Sequence, residues 1–447
     1  MDFTEVNSYK EAVDYINDIP RFAAKSTMET TRAFFNFLGC PGENKKIAHI
    51  AGTNGKGSVC TYLSAIIKAH GEDFKVGTFT SPHLITERER FKINDEMIDE
   101  EEFLDCFFMV AAAIMEFRSL RGTELVPEDV PADYHPSFFE YLFLMGMVWF
   151  DFKEVDYIVL ETGLGGRLDA TNIILSPVVT GITDISFDHC QYLGDTIEAI
   201  AKEKAGIIKE GCPVVYADRG NTPAKIIKNK AKKLHSEAFG IKSGDITEVE
   251  FNKNSIDFCF NNRYYGVCTP ESVKITLPTV ATYQPMNASI AFVCSQIVMG
   301  DSFDIAVTVN ALKSTTWMGR MQEVSKGIYV DGAHNEGGIE AFVNTLDMME
   351  VKNASLVFGV SGDKQYDLMI NTLISSGHFN KVYLTSYEGS RSAAPSELVK
   401  LIKDCEVEVT DNVTDALAKA KKDNNEVFVV GSLYLVGEVL AIRTEEL

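Results

Sequence analysis

The sequence has no C-x-x-C pair, no long uncharged apolar stretch and too few basic residues to balance its acids. Each shortage removes a class of function. The nine cysteines are scattered, so neither a disulfide framework nor a structural zinc site is expected, and a reducing cytoplasm suits the chain. The most apolar run, Phe138 to Phe150, is 13 residues long and carries Glu140. It is too short to span a bilayer and reads as a buried helix. Met1 to Lys10 is polar and acidic, unlike a secretory leader. No membrane partner is expected. Lys and Arg number 42 against 64 Asp and Glu, a net charge of −22, which argues against a nucleic-acid partner. The one basic run, Lys225 to Lys233, shares its helix with Ile226 and Ile227 and reads as a solvated face. In so acidic a chain an anionic substrate must be met by a few local cations.

At 447 residues the chain suits two domains. Strand-like and helix-like runs alternate, the pattern of a mainly parallel sheet covered by helices. Candidate strands are 46–51, 74–79, 157–161, 178–183 and 213–217. From Glu248 to Thr276 the residues alternate around Asn261-Asn262, which predicts antiparallel hairpins. Helical patterning resumes near Asn287. A second α/β series follows, with strands at 327–330, 355–360, 381–386 and 427–430. The boundary is placed within 298–318, giving units 1–300 and 301–447.

The stretch Ile47 to Ser58 carries the strongest chemical signal. A short strand, the turn Gly52-Thr53-Asn54-Gly55-Lys56-Gly57 and a helix beginning at Ser58 aim backbone amides, a helix N-terminus and an ammonium at one spot. That spot suits a phosphate chain. The standard phosphate loop has glycine six residues before its lysine and Ser or Thr directly after it. Here those places hold Ile50 and Gly57, so the usual magnesium-binding hydroxyl is missing. Ligands must come from elsewhere, and ligands in parallel sheets gather at the carboxyl ends of strands. Three such ends offer Ser81 with His83, Glu161, and Asp184, Asp188 and His189. A hydroxyl, a carboxylate and an imidazole together suit magnesium beside phosphates. Asp331, His334 and Asn335 form a polar rim after a later strand, where Asn335 also suits a helix cap. Arg320 is an isolated cation near the junction. It is placed to reach a phosphate or to pair with an acid. Spacing alone makes Lys204 a solvated helix lysine.

Taken together these motifs resemble the folylpolyglutamate synthases and the bifunctional dihydrofolate synthase/folylpolyglutamate synthases, within the Mur-type ATP-dependent ligases. The matching stretches run in family order: AGTNGKGS (51–58), SPHL (81–84), ERFKIN (89–94), ETGLGGRLDATN (161–172) and DHCQYLGDTIEAIAKEKAGIIK (188–209), then MNA (286–288), WMGR (317–320), DGAHN (331–335), SGDK (361–364) and GSLYLVGEV (431–439). The resemblance implies an α/β fold, a P-loop-containing mainly parallel sheet domain followed by a smaller Rossmann-like domain. It carries Gly52, Thr53, Asn54, Gly55, Lys56, Gly57 and Ser58 over as the ATP-phosphate loop. Ser81, Glu161 and His189 match magnesium-holding positions, and Lys204 matches a carbamylated lysine that helps place a second metal. Asn287, Arg320 and Asp331 match nucleotide-contacting positions, and His334 matches a residue of the glutamate and ATP site. Asp169 matches a position tied to pterin handling, and Ser432 is carried over as substrate-binding. Two departures touch substrate preference: Gln365 follows Asp363-Lys364 where a charge is common, and Ser137 stands where threonine is common.

The activity so implied is ATP-driven addition of L-glutamate to a folate carboxylate, and also to dihydropteroate, through an acyl phosphate. Lys56, Lys204 and His334 are its expected catalytic residues. ATP, two Mg2+ ions and a monovalent cation are the expected cofactors, and the chain is expected to act as a monomer. One rival is a peptidoglycan-building Mur ligase, which carries an extra domain before its ATP loop; only 51 residues precede Gly52 here. The other is a P-loop binding module without ligase activity, which leaves Asp331, His334 and Asn335 unexplained.

Overall fold

A computed structural model describes residues 3–20, 27–262, 272–389, 391–424 and 426–442. Its first sheet contains β1 (Lys46–Ala51), β2 (Val76–Phe79), β3 (Phe91–Ile93), β4 (Glu96–Met97), β5 (Tyr157–Glu161), β6 (Val179–Ile182), β7 (Val214–Ala217) and β8 (Ala238–Ile241). The order across it is β4-β3-β2-β5-β1-β6-β7-β8. The six strands from β2 to β8 in that order run parallel, while β3 and β4 form an antiparallel edge. Central β1 and β5 are buried along almost their whole length, which explains why they read as continuous apolar runs rather than alternating ones.

The helices Lys56–Ala69 and Gln284–Met299 lie side by side on one face of this sheet and pack against each other. Both helices bury most of their circumference, as helices sandwiched on two sides must. On the other face, the helix Phe138–Phe152 packs into an aromatic core with Phe79, Phe91, Phe103 and Phe107. Burying each such ring stabilises the fold by roughly 1.5–3 kcal/mol before entropy is counted. The apolar run therefore is a buried helix, as its length and composition require. Ser137 caps it, and Glu140 closes a capping box. Among the described residues, no helix is long and apolar enough to cross a membrane.

An antiparallel sheet of β9 (Ile246–Phe251), β10 (Ile256–Phe260) and β11 (Val273–Leu277) follows. The expected hairpins are present, yet the first reversal is at Asn252–Ser255 rather than Asn261-Asn262. Asn252 N donates to Ser255 O at 2.8 Å, and the intervening Lys253-Asn254 suits a tight turn. Asn261 instead continues the register by donating to Asp245 O. Part of the connection after Asn262 lies outside the described residues.

The third sheet has β12 (Gln322–Ser325), β13 (Ile328–Val330), β14 (Ala354–Phe358), β15 (Phe379–Leu384), β16 (Glu406–Val409) and β17 (Val427–Val430), in the order β12-β13-β17-β14-β15-β16. All neighbours are parallel except β12 and β13. Its two faces hold separate apolar clusters.

A linear division at residue 300 does not follow the packing. The helix Ile305–Ser314 packs on β11 and on the helix Lys56–Ala69, with the first unit. Val280 and Ala281 instead sit in a core of the third sheet, and Thr282 Oγ1 lies 3.0 Å from Thr345 Oγ1. Leu84, from the loop after β2, packs with the cluster around Leu435 and Val436. Periodicity along the chain cannot report which layer an element joins.

Candidate active site

β1 delivers the chain into a turn whose glycines are required by contact as well as by backbone. Gly52 has φ +151° and faces the Thr183 side chain, while Gly55 has φ +91° and lies against Asn287 Oδ1. A Cβ at either place meets another side chain. The turn is tied down by Thr53 N donating to Asp184 O at 2.8 Å and Thr53 Oγ1 donating to Ser186 O at 3.1 Å. Lys56 Nζ donates to Thr53 O at 3.2 Å and lies 3.8 Å from Glu161 Oε1. A cation thus stands at the N-terminus of a helix, beside free amides. Ser58 departs from expectation. It is 1% exposed and its Oγ accepts from Gln284 Nε2, so it braces two helices and does not line the cleft.

This turn opens on a cleft of about 1030 Å³ lined from both units. Gly52 to Gly57, Ser81, Glu161, His189, Lys204, Asn287, Arg320, Asp331 and His334 all border it. The structure therefore brings together most residues singled out from sequence. Asp169 and Ser432, like His83 and Asn335, also lie outside the cleft lining. Asp169 is buried and accepts from Leu164 N, Thr171 N and Thr171 Oγ1 at 2.8, 3.0 and 2.6 Å, which braces the glycine-rich loop after β5. Ser432 is 3% exposed and caps the helix Leu433–Ala441. Both are too engaged in local backbone bonds to face the cleft.

Glu161 ends β5, and its Oε2 accepts from Ser81 N at 3.0 Å. Burial raises its pKa, with Lys56 opposing that shift. His189 has its pKa lowered to about 4, by burial first and against the attraction of Asp188. Its imidazole is neutral near pH 7, with a lone pair to give. Among the described residues, no three His, Cys, Asp or Glu side chains cluster as a self-sufficient metal site. One hydroxyl, one carboxylate and one neutral imidazole on a cleft wall fit magnesium, which takes few protein ligands and relies on phosphates and water for the rest.

Lys204 overturns the expectation from spacing. It is 4% exposed, and its Nζ donates to Gly52 O at 2.7 Å. Burial, reinforced by Lys56, lowers its pKa to about 7. Lys202, two residues earlier on the same helix, is the exposed lysine.

From the second unit, His334 Nδ1 bonds Gly332 O at 2.7 Å, which assigns the proton to Nδ1 and leaves Nε2 as an acceptor. Burial and then Lys364 lower its pKa to about 4. Asp331 accepts from Tyr283 Oη at 2.6 Å and from Met321 N and Ala333 N at 2.9 Å each. Arg320 donates to Gly319 O; burial raises the pKa of Asp331, and the Arg320 charge opposes that shift there and at Glu161. Asn287 Nδ2 donates to Gln284 Oε1, which fixes its amide against Gly55.

Sequence reasoning missed how the two units are joined here. Asn54 and Asn335 exchange amide hydrogen bonds at 3.0 Å in both directions. Asp188 Oδ1 accepts from Lys364 Nζ at 2.6 Å, and its Oδ2 accepts from Asn335 Nδ2 at 3.0 Å. Asn335 also caps the helix Glu336–Met348. The dull role and the functional one coexist in a single side chain. Nothing in spacing pairs position 188 with position 364. Only the SGDK motif marked that lysine.

Models of two protein families match the chain: the Mur ligase middle domain over residues 142–295, and the Mur ligase glutamate ligase domain over 319–433. The chain is 31% identical to the Bacillus subtilis dihydrofolate synthase/folylpolyglutamate synthase, over 97% of this chain and 98% of that protein. It is 29% identical to the Lacticaseibacillus casei folylpolyglutamate synthase, with the same coverage. Among solved structures, it resembles an FPGS–AMPPCP–folate complex with a TM-score of 0.82 at 28% identity, covering 97% of this chain and 98% of that one. E. coli FolC in complex with DHPP and ADP gives a TM-score of 0.81 at 25% identity, covering 97% of each chain. With its fold, its phosphate turn and its two-sided cleft all in agreement, the chain belongs to the folylpolyglutamate synthase/dihydrofolate synthase family of Mur ligases.

Proposed function

We propose that this chain uses ATP to join L-glutamate to the carboxylate of folates, and that it also accepts dihydropteroate. The observation that carries this reading is the two-sided cleft. Lys56 and Glu161 on one wall face Arg320 and His334 on the other, so phosphate chemistry and amine delivery share one enclosed space.

A carboxylate is a poor electrophile. Its oxygen therefore attacks the γ-phosphorus of ATP, giving an acyl phosphate and ADP, before the glutamate amine attacks the carbonyl and phosphate leaves. Lys56 and Arg320 offset the negative charge that gathers as two anions approach. The amides of the phosphate turn orient the triphosphate. His334 Nε2, unprotonated at neutral pH, accepts a hydrogen bond from the incoming amine and orients it. Ser81, Glu161 and His189 would hold magnesium, which supplies further charge neutralisation at the phosphates when bound. Closure of the two walls excludes water from the acyl phosphate.

Lys204 is assigned a carbamyl group. With a pKa of about 7, half of its amine is neutral at that pH. The neutral amine adds to CO₂, giving a carbamate and one proton, which turns a buried cation into an anion that suits a second magnesium. A monovalent cation, monomeric action and a cytoplasmic location complete the proposal. Every described cysteine is free, which fits a reducing compartment. For the domains, we propose units meeting within 298–318, with the helix Ile305–Ser314 assigned to the first.

The test is phosphate release with ATP, magnesium and glutamate, comparing 7,8-dihydropteroate with tetrahydrofolate, with mass spectrometry of the products. Products from both acceptors support the full reading. Products from tetrahydrofolate alone restrict it to chain extension, and nucleotide binding without any amide product overturns it.

A further inference from the structure

We infer that Asp188 is a positioning residue whose carboxylate sets where the second unit's His334 and Asn335 stand over the phosphate turn. This inference rests on the ligase reading for its kinetic consequences, though not for its geometry. Asp188 follows β6 in the first unit, and its side chain is 9% exposed. Its two oxygens are divided between partners. Oδ1 takes the ammonium of Lys364 at 2.6 Å and the backbone N–H of His189 at 2.9 Å. Oδ2 takes the Asn335 amide at 3.0 Å and lies 3.7 Å from His334 Nε2. Asn335 Nδ2 also donates to Asn54 Oδ1, so one amide ties Asp188 to the phosphate turn. Three side chains of the second unit, Lys364, Asn335 and His334, thus converge on one carboxylate of the first.

A pair this enclosed is unequal in its parts. Removing both members of a buried ion pair costs little, whereas removing one strands the other charge. Lys364, 11% exposed and 3.5 Å from His189 Nε2, has Asp188 as its carboxylate partner. Without that partner its ammonium is left as an enclosed charge against the His189 ring, and the wall bearing His334 is expected to shift. A displacement of about 1 Å in such a site lowers rate by up to about 100-fold.

The experiment is a double-mutant cycle with Asp188→Asn and Lys364→Met in the full chain, read in two ways. Steady-state kinetics separate kcat from the KM for ATP. Small-angle scattering with AMPPCP and magnesium reads how closely the units approach. Each single variant is expected to lower kcat at least about 10-fold, with KM for ATP changed less than about threefold and a larger radius of gyration than the parent. The double variant is expected to be no worse than the poorer single one, and Lys364→Arg to recover most of the loss. Additive losses, a parallel collapse of ATP affinity or an unchanged radius in both single variants overturn the inference. Scattering needs no turnover, so a parent chain that makes no amide defeats the ligase reading while leaving the positioning role measurable.

Discussion

The ammonium of Lys204 donates to the carbonyl of Gly52 at 2.7 Å, joining the end of one helix to the first glycine of the phosphate turn. Most buried lysines pair with an acid, and this one meets a backbone oxygen instead. Lys204→Met is therefore expected to cut ATP turnover about 100-fold while holding or raising thermal stability, because an enclosed charge is removed. Lys202→Met on the exposed face should change neither. Equal losses in the two variants would sink the assignment. Intact-mass spectra of the parent in bicarbonate should show the carbamyl group.

Lys56 belongs to the phosphate turn, and its ammonium lies 3.8 Å from Glu161 Oε1. Lys56→Ala should lose ATP turnover by roughly 100-fold or more, with the melting temperature little changed. Near-normal turnover would falsify the phosphate-turn assignment.

His49 is fully buried on β1, and its Nε2 lies 2.8 Å from Thr171 Oγ1. Burial, helped by Lys209, lowers its pKa to about 3. Between about pH 6.5 and pH 3 the unfolded chain binds a proton here that the native chain refuses. Stability therefore falls as pH drops through that window. His49→Gln should lessen the loss between pH 7 and pH 4.5 by about 2 kcal/mol, read from urea midpoints. An unchanged acid profile counts against a neutral buried His49.

Asp169 matches a pterin-linked position yet spends its oxygens on Leu164 and Thr171. Asp169→Asn is expected to lower activity with dihydropteroate and tetrahydrofolate by the same factor, together with the melting temperature. A loss confined to dihydropteroate would restore a direct pterin contact.

Gly437, on the helix Leu433–Ala441, has the carbonyl of Leu84 where a Cβ would stand. Gly437→Ala must push the loop after β2 away from the second unit. A loss of about 1–3 kcal/mol is expected, measured by denaturant unfolding. No loss would mean the loop yields freely.

Strands, the buried helix at Phe138 and the phosphate turn were legible because each is written in local pattern. β1 and β5 declare themselves as short apolar runs, and Gly52 and Gly55 as punctuation. Lys204 was misread from spacing since its burial comes from Gly52, and from a sheet that helical periodicity does not see. Asp188 and Lys364 are apart in sequence and ordinary in type, so their meeting is a fact of tertiary packing alone. The resemblance to a family supplied Lys204 as a site residue, and it also supplied Asp169 and Ser432, which the structure turns away from the cleft.

The chain crosses between the two units in more than one place. Val280 and Ala281 are held in a core of the third sheet, and Tyr283 bonds Asp331, while the helix that follows returns to the first sheet. The covalent passage comes later, between Ser314 and β12. Two attachment points define a line, as two hinges define the edge on which a door swings. An opening of the cleft that keeps both attachments is therefore expected to be a rotation about that line rather than a free swivel. Such a rotation would open the cleft widest on the side away from that line, and that is the side on which substrates are expected to enter.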